Sequence, residues 1–248
     1  VILGADYHIN PLNVLTLSGN FAYEVEEQPS LTNFRQLGGD DLLVSEWYRQ
    51  ENTEATNPKW QYELQYKKDF EDNKDHTLLF SALGNFFGKD QSSEFENATI
   101  TGSEAPSNQQ TETSFSETKY TFQLDYTKPF SEKITLEVGS QYVITDVAND
   151  YAVSNLVNNE WVQDAGLTNI FEFDQKVLGV YSTGAYEGER WGVKAGLRLE
   201  MTDLATLLTN TAETNQQNYA NLFPSLHTSY KITSRFSLQA GYSKRIFR

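Results

Sequence analysis

At 248 residues the chain has room for one large β domain or two ordinary ones, and without cysteine it offers no disulfide, thiolate metal site or cysteine nucleophile. A formal charge of −15 argues against a nucleic-acid partner, because gripping phosphates takes a surplus of Lys and Arg. No run approaches the roughly 20 apolar residues of a membrane helix, yet a mean hydropathy of −0.56 suits a β-barrel, which shows lipid only alternate residues of each strand.

The first alternating run sets Leu3, Ala5, Tyr7 and Ile9 against Gly4, Asp6, His8 and Asn10. Pro11-Leu12-Asn13 supplies a tight turn, and Leu15, Leu17, Phe21 and Tyr23 continue on the return strand. From Val25 to about Asn57 the pattern lapses into a long polar loop, in which Leu42 to Tyr48 could extend a neighbouring strand. Trp60, Tyr62, Leu64, Tyr66 and Phe70 then alternate with Gln61, Glu63, Gln65, Lys67 and Asp69. After the turn at Glu71 to Asp75, a strand with two fairly apolar faces runs from His76 to about Gly88.

A second polar loop, from Lys89 to Ser114, leads into the clearest hairpin of the chain. Tyr120, Phe122, Leu124 and Tyr126 share one side of a two-residue period, with Lys119, Thr121, Gln123 and Asp125 on the other. Beyond Pro129 to Lys133 the alternation resumes with Ile134, Leu136, Val138, Tyr142 and Ile144 against Thr135, Glu137 and Gln141. A third loop, from about Val147 to Asn169, precedes a strand from Phe171 to Tyr186. Glu187 to Arg190 turn the chain, and Trp191, Val193, Ala195, Leu197 and Leu199 alternate with Lys194, Gly196, Arg198 and Glu200. A fourth loop spans roughly Asp203 to Asn218, and a last pair, Leu222 to Ile232 and Phe236 to Ile246, closes around Thr233-Ser234-Arg235. The pattern predicts an all-β, antiparallel up-and-down fold of about ten strands paired as hairpins, without a helix.

A soluble sandwich also alternates, but three features favour a transmembrane barrel. Many strands keep their period for about 9 to 12 residues, the length that crosses a bilayer at a tilt of about 45°, against a usual 5 to 6 in soluble domains. Aromatic residues bracket the apolar faces; Trp60 and Phe70 lie roughly 23 Å apart along the membrane normal, near the ~25 Å apolar band between aromatic girdles. Charge also separates by end. Ser92 to Thr118 carries five acids (Glu94, Glu96, Glu104, Glu112, Glu117) and Asp146 to Asp174 carries six, both stretches without Lys or Arg. Lys67, Lys68, Lys74, Lys128, Lys133, Arg190, Lys231 and Arg235 instead lie at or beside the short turns. Short turns of outer-membrane barrels face the periplasm, so the acidity falls on the exterior rim.

The end of the chain is more specific. Asn218-Tyr219-Ala220-Asn221-Leu222-Phe223-Pro224-Ser225-Leu226, then Tyr230-Lys231-Ile232, then Tyr242-Ser243-Lys244-Arg245-Ile246-Phe247-Arg248 resembles the barrel of the TonB-dependent receptor-like outer-membrane proteins of Bacteroidetes. Looser likeness extends to Leu3 to Tyr7 with Leu17-Ser18-Gly19, and to Tyr66 to Phe70 with Leu78. The resemblance implies a cell outer membrane location in a Gram-negative bacterium and a barrel of roughly 22 strands holding a plug domain, with TonB acting on that plug. It also implies lipid and lipopolysaccharide around the wall, and uptake of a scarce or large solute of the siderophore or glycan class. Plug, TonB-contacting segment and signal peptide are not recognisable in these residues, so residues 1–248 are expected to form one piece of barrel wall. The alternative is a complete small barrel with a structural or adhesive role through its acidic loops.

No cofactor, metal or catalytic residue is assigned, and the expected role is not enzymatic. His8, His76 and His227 lack ligand spacing. Ser225, His227 and Ser229 share one strand face without an identifiable third member of a triad, so an outer-membrane enzyme is the weaker reading. Asp40 and Asp41 follow two glycines but lack EF-hand spacing, and Asn97-Ala98-Thr99 fits the glycosylation sequon only formally. The candidate functional residues are the charges on the polar strand faces: Glu63, Lys67, Asp125, Glu137, Lys194, Arg198, Glu200 and Arg245. They are expected to line the lumen, where they would contact the plug or the passing solute or simply hydrate a wide pore.

Overall fold

The computed structural model describes residues 1–39, 41–103 and 105–244. They form a single antiparallel meander of eleven strands: β1 (Ile2–Asn10), β2 (Asn13–Leu37), β3 (Leu43–Phe70), β4 (Asn73–Thr101), β5 (Gln109–Ser131), β6 (Ile134–Val157), β7 (Glu160–Gln163), β8 (Asn169–Glu187), β9 (Trp191–Leu208), β10 (Glu213–Thr233) and β11 (Phe236–Ser243). Sheet order follows chain order, with β7 a short flap paired to the end of β6. Among the described residues each strand packs only on its ladder neighbours, so the sheet is one layer and no second sheet covers it. β1 and β11 do not pair with each other, and the sheet is open.

Short turns gather at one end and long connections at the other, and the sequence shows why the short ones close. The side chains of Asn10, Asn73, Ser131 and Thr233 each accept a hydrogen bond from a main-chain N–H two residues on, at 2.9 to 3.2 Å, which fixes the reversal locally.

The strand register sorts the side chains into two faces. One outward row runs Ala5, Leu17, Leu64, Ala82, Phe122, Tyr142, Leu178, Met201 and Ala220, each opposite the next across successive strands. The adjacent inward row reads Asp6, Thr16, Gln65, Ser81, Gln123, Gln141, Gly179, Glu200 and Asn221. The facing of β4, ambiguous in sequence, is thereby settled: Leu78, Phe80, Ala82 and Phe86 point outward with Tyr66, Leu64 and Trp60. Among the described residues only Ala55, Val153 and Val177 are buried hydrophobics, whereas Phe122, Leu199, Leu222, Trp191 and many more large apolar side chains on the outward face are exposed. A water-soluble fold does not leave its apolar face bare, whereas lipid covers it without cost.

Aromatic rings mark both edges of the apolar band. Trp60 stacks on Phe86 with centroids 3.8 Å apart at the long-connection edge; Phe70 stacks on His76 at 3.9 Å and Trp191 lies 4.5 Å from Tyr230 at the short-turn edge.

The structure corrects the loops. β2 to β6 run 23 to 29 residues, far beyond the 9 to 11 that span a bilayer, so most of the stretches expected as irregular loops are strand. Val25–Leu37 pairs with Leu43–Thr56, and Gln91–Phe95 with Gln109–Thr113. Outside the membrane both faces meet water, so apolar alternation disappears while the main-chain ladder continues through Thr-, Ser- and Gln-rich sequence. The extra strand β7 is turned by Asn158 and Asn159, both at positive φ, as a two-residue hairpin requires.

Replacing Leu199 by Arg on the outward face should destabilise the folded protein in lipid vesicles by about 2–4 kcal/mol, whereas Thr121→Arg on the inward face should cost under ~1 kcal/mol, both read from denaturant unfolding.

Candidate functional site

The inward face is the concave side. The small buried residues Thr53, Ala55, Asn57, Ser93, Thr111 and Val153 all lie on it, and its side chains reach across an intervening strand. Its membrane-level centre is a connected polar network on β5, β6, β8 and β9. The Tyr181 hydroxyl donates to Asp125, and Gln123 Nε2 donates to the other carboxylate oxygen of Asp125 at 2.7 Å. Gln141 Nε2 donates to Gln123 Oε1 at 3.0 Å, and Gln141 Oε1 accepts from Arg198 Nη2 at 3.1 Å. Arg198 Nε donates to Glu200 at 2.7 Å, and its guanidinium lies 5.2 Å from the Tyr181 ring centroid. Charge-assisted bonds of this kind are the stronger class, so the network holds two long side chains flat against the wall.

Two glycines make room for that. A Cβ on Gly139 would stand 2.5 Å from the Tyr181 ring, and one on Gly179 2.5 Å from Arg198 Nη2. Gly139 separates Asp125 from Tyr181 across the ladder, so the tyrosine reaches the carboxylate by lying over the missing side chain.

The candidates separate into groups. Asp125, Arg198 and Glu200 meet in this network. Glu137 and Lys194 form a second unit toward the short-turn end, with Lys194 Nζ 2.9 and 3.1 Å from the two carboxylate oxygens. This pair borders a cavity of about 520 Å³ lined also by Glu187, His227, Ser229 and Gln239. Lys67 pairs with Asp69 on its own strand at 3.0 Å, and Glu63 faces Ser18 and Leu83 in the ladder. Leu79 separates Lys67 from Asp125, so these two stand apart from the network. Arg245 lies outside the described residues, as does Asp40.

Gln123, Gln141 and Tyr181 are not singled out by sequence, because uncharged side chains carry no obvious signal. A tyrosine on the polar face opposite a glycine was the available clue.

The three histidines lie on β1, β4 and β10. His76, 5% exposed, places Nδ1 2.6 Å from Asp72 and Nε2 2.9 Å from the Tyr126 hydroxyl. The hydrogen bond from His76 holds the Asp72 carboxyl below its ordinary range, with Lys128 adding to the effect. His227 packs its ring against Gly241.

One open layer, apolar outside and polar inside, agrees with what the sequence comparison finds: residues 68–248 match the model of the outer membrane protein beta-barrel family. The chain belongs to that family. The barrel strands therefore lie in the outer membrane, with lipid on the outward face. Among curated proteins none matches the sequence. Among solved structures, the unliganded ferric citrate transporter FecA superposes with a TM-score of 0.41 at 11% identity, covering 97% of this chain and 42% of the transporter. The ferric yersiniabactin uptake receptor FyuA from Yersinia pestis gives 0.42 at 8% identity, covering 94% and 42% respectively. The chain thus spans less than half the length of either structure.

Gly139→Val should drive the Tyr181 ring off Asp125 and lower stability by roughly 1–3 kcal/mol. The same substitution at Gly184, where a Cβ meets nothing within 4 Å, should leave the unfolding midpoint nearly unchanged.

Proposed function

We propose that residues 1–248 are one barrel-wall domain of a TonB-dependent receptor of the Bacteroidetes-like kind, taking up a scarce or large solute of the siderophore or glycan class. The observation that carries this reading is the open edge. In hydrocarbon the free N–H and C=O groups of β1 and β11 need partners, and further strands on both sides would supply them while widening the pore. The inward network supports a wet lumen, since Gln123, Asp125, Gln141, Arg198 and Glu200 on a membrane-level face need water or another polar surface beside them.

In the complete protein that surface is a plug domain, on which TonB acts from the periplasmic side. Glu63, Lys67, Asp125, Glu137, Lys194, Arg198 and Glu200 line the space around it and meet the plug or the solute. The role is transport without bond-making chemistry. Lipopolysaccharide surrounds the end with the long, acidic extensions.

Closure tests this against a small adhesive barrel. The chain contains no cysteine, so introduced pairs are unambiguous. Asp6→Cys combined in turn with Ser237→Cys, Gln239→Cys and Gly241→Cys, all inward positions on the two edge strands, should give no intramolecular disulfide in the outer membrane. Efficient cross-linking of one pair would mean that these strands close on themselves and that the small barrel is the right reading.

A further inference from the structure

Two lysines interrupt the outward face at its short-turn end. Lys68 of β3 and Lys128 of β5 share the parity of Leu64, Tyr66, Leu124 and Tyr126, which faces lipid. Each turns back over a ring: Lys68 Nζ lies 4.7 Å from the Phe70 centroid and Lys128 Nζ 5.8 Å from that of Phe130. Between the two strands, Phe70, His76 and Tyr126 pack ring on ring and form an apolar floor. Both nitrogens of His76 are engaged by Asp72 and Tyr126, so the imidazole serves that floor and leaves the cations to the lysines.

Two of the nearby carboxylates bond to other groups, although Asp72 also feels the charge of Lys128. Asp69 pairs with Lys67 on the inward face, and Asp72 accepts from His76. Among the described residues neither Lys68 nor Lys128 forms an ion pair, although Glu71, Asp75 and Glu132 sit exposed on the adjacent turns. The same outward face changes sign at its other rim, where Asp146 stands opposite Asp174 and Lys176 opposite Asp203, with Asp90 and Asp150 farther out. A lysine on a lipid-facing strand sends its ammonium along the wall to the headgroup level. The short-turn end is the periplasmic one, so that level belongs to the inner leaflet.

We propose that Lys68 and Lys128, flanking the floor of Phe70, His76 and Tyr126, hold the headgroup phosphate of an anionic phospholipid in the periplasmic leaflet. The rings seat the glycerol and upper acyl carbons, and the two ammonium groups close on the phosphate from either side. Cations at a membrane surface favour anionic lipid by roughly fivefold each, so the pair gives a preference an experiment can read.

The test uses the complete protein in nanodiscs of phosphatidylcholine with a minor share of phosphatidylglycerol, with the lipids that leave the disc on the protein counted by native mass spectrometry. The ratio of phosphatidylglycerol to phosphatidylcholine at the site should exceed the bulk ratio by up to about 25-fold, the product of the two fivefold preferences. Lys68→Gln with Lys128→Gln should bring the ratio down to the bulk value, and Lys68→Gln alone should remove part of it. Lys68→Arg with Lys128→Arg, which keeps both charges, should preserve it. Lys119→Gln with Lys176→Gln removes the same net charge from the inward face and the opposite rim and should also preserve it. Absence of enrichment in the unaltered protein, enrichment that survives the Lys68/Lys128 glutamine pair, or equal loss in the Lys119/Lys176 pair would each overturn the proposal. Folding of every variant is checked by heat-modifiable gel mobility, and if the glutamine pair does not fold, the single Lys68→Gln and Lys128→Gln proteins decide by the same ratio.

Discussion

A peptide N–H or C=O that faces hydrocarbon has no water to turn to, and each one left unpaired costs several kcal/mol. The unbroken ladder from β1 through β11 answers that constraint, and the rest of the architecture follows from it. Once every strand is paired in register, successive side chains must point to opposite sides. The sequence can then satisfy lipid and water at once only by alternating. That is why the molecule has almost no conventional core: its apolar mass is spent outward, where Leu17, Leu64, Phe122, Leu178 and Met201 form one continuous row.

The inward face obeys a different rule. Polar side chains at membrane depth must find partners, and here they find one another across strands. Tyr181 reaches over Gly139 to Asp125, and Arg198 reaches over Gly179 to Gln141. The glycines lower the wall locally so that long side chains lie along it and leave the space in front open. The Glu137 and Lys194 pair repeats the solution nearer the short-turn end.

Much of this was legible in the residues. Two-residue alternation located the membrane-level parts of ten strands, short stretches such as Pro11–Asn13, Glu71–Asp75 and Pro129–Lys133 located the reversals, and the distribution of Lys against Glu and Asp separated the two ends. The limits of the strands were not legible, because above the membrane both faces are wetted and β2 to β6 continue through sequence with no apolar period. β7 was hidden in the same way, although Asn158-Asn159 is a two-residue hairpin signal. Of the candidate charges, polarity and parity identified the face but not the company each residue keeps. Arg198 and Asp125 belong to one network only because Gln123, Gln141 and Tyr181 bridge them, and those bridges depend on register between strands far apart in sequence.

The direct measurement is a single-cysteine scan along Tyr120–Tyr126 and Trp191–Met201 in the bilayer-embedded protein, each site labelled with a fluorophore and quenched in turn by a water-soluble and by a lipid-dissolved agent. The account predicts reciprocal patterns of period two, with Phe122, Leu124, Leu197 and Leu199 quenched from the lipid and Thr121, Gln123, Gly196 and Arg198 from the water. Sites shielded from both agents on the apolar side, as between two stacked sheets, or equally open to water on both sides, would contradict it.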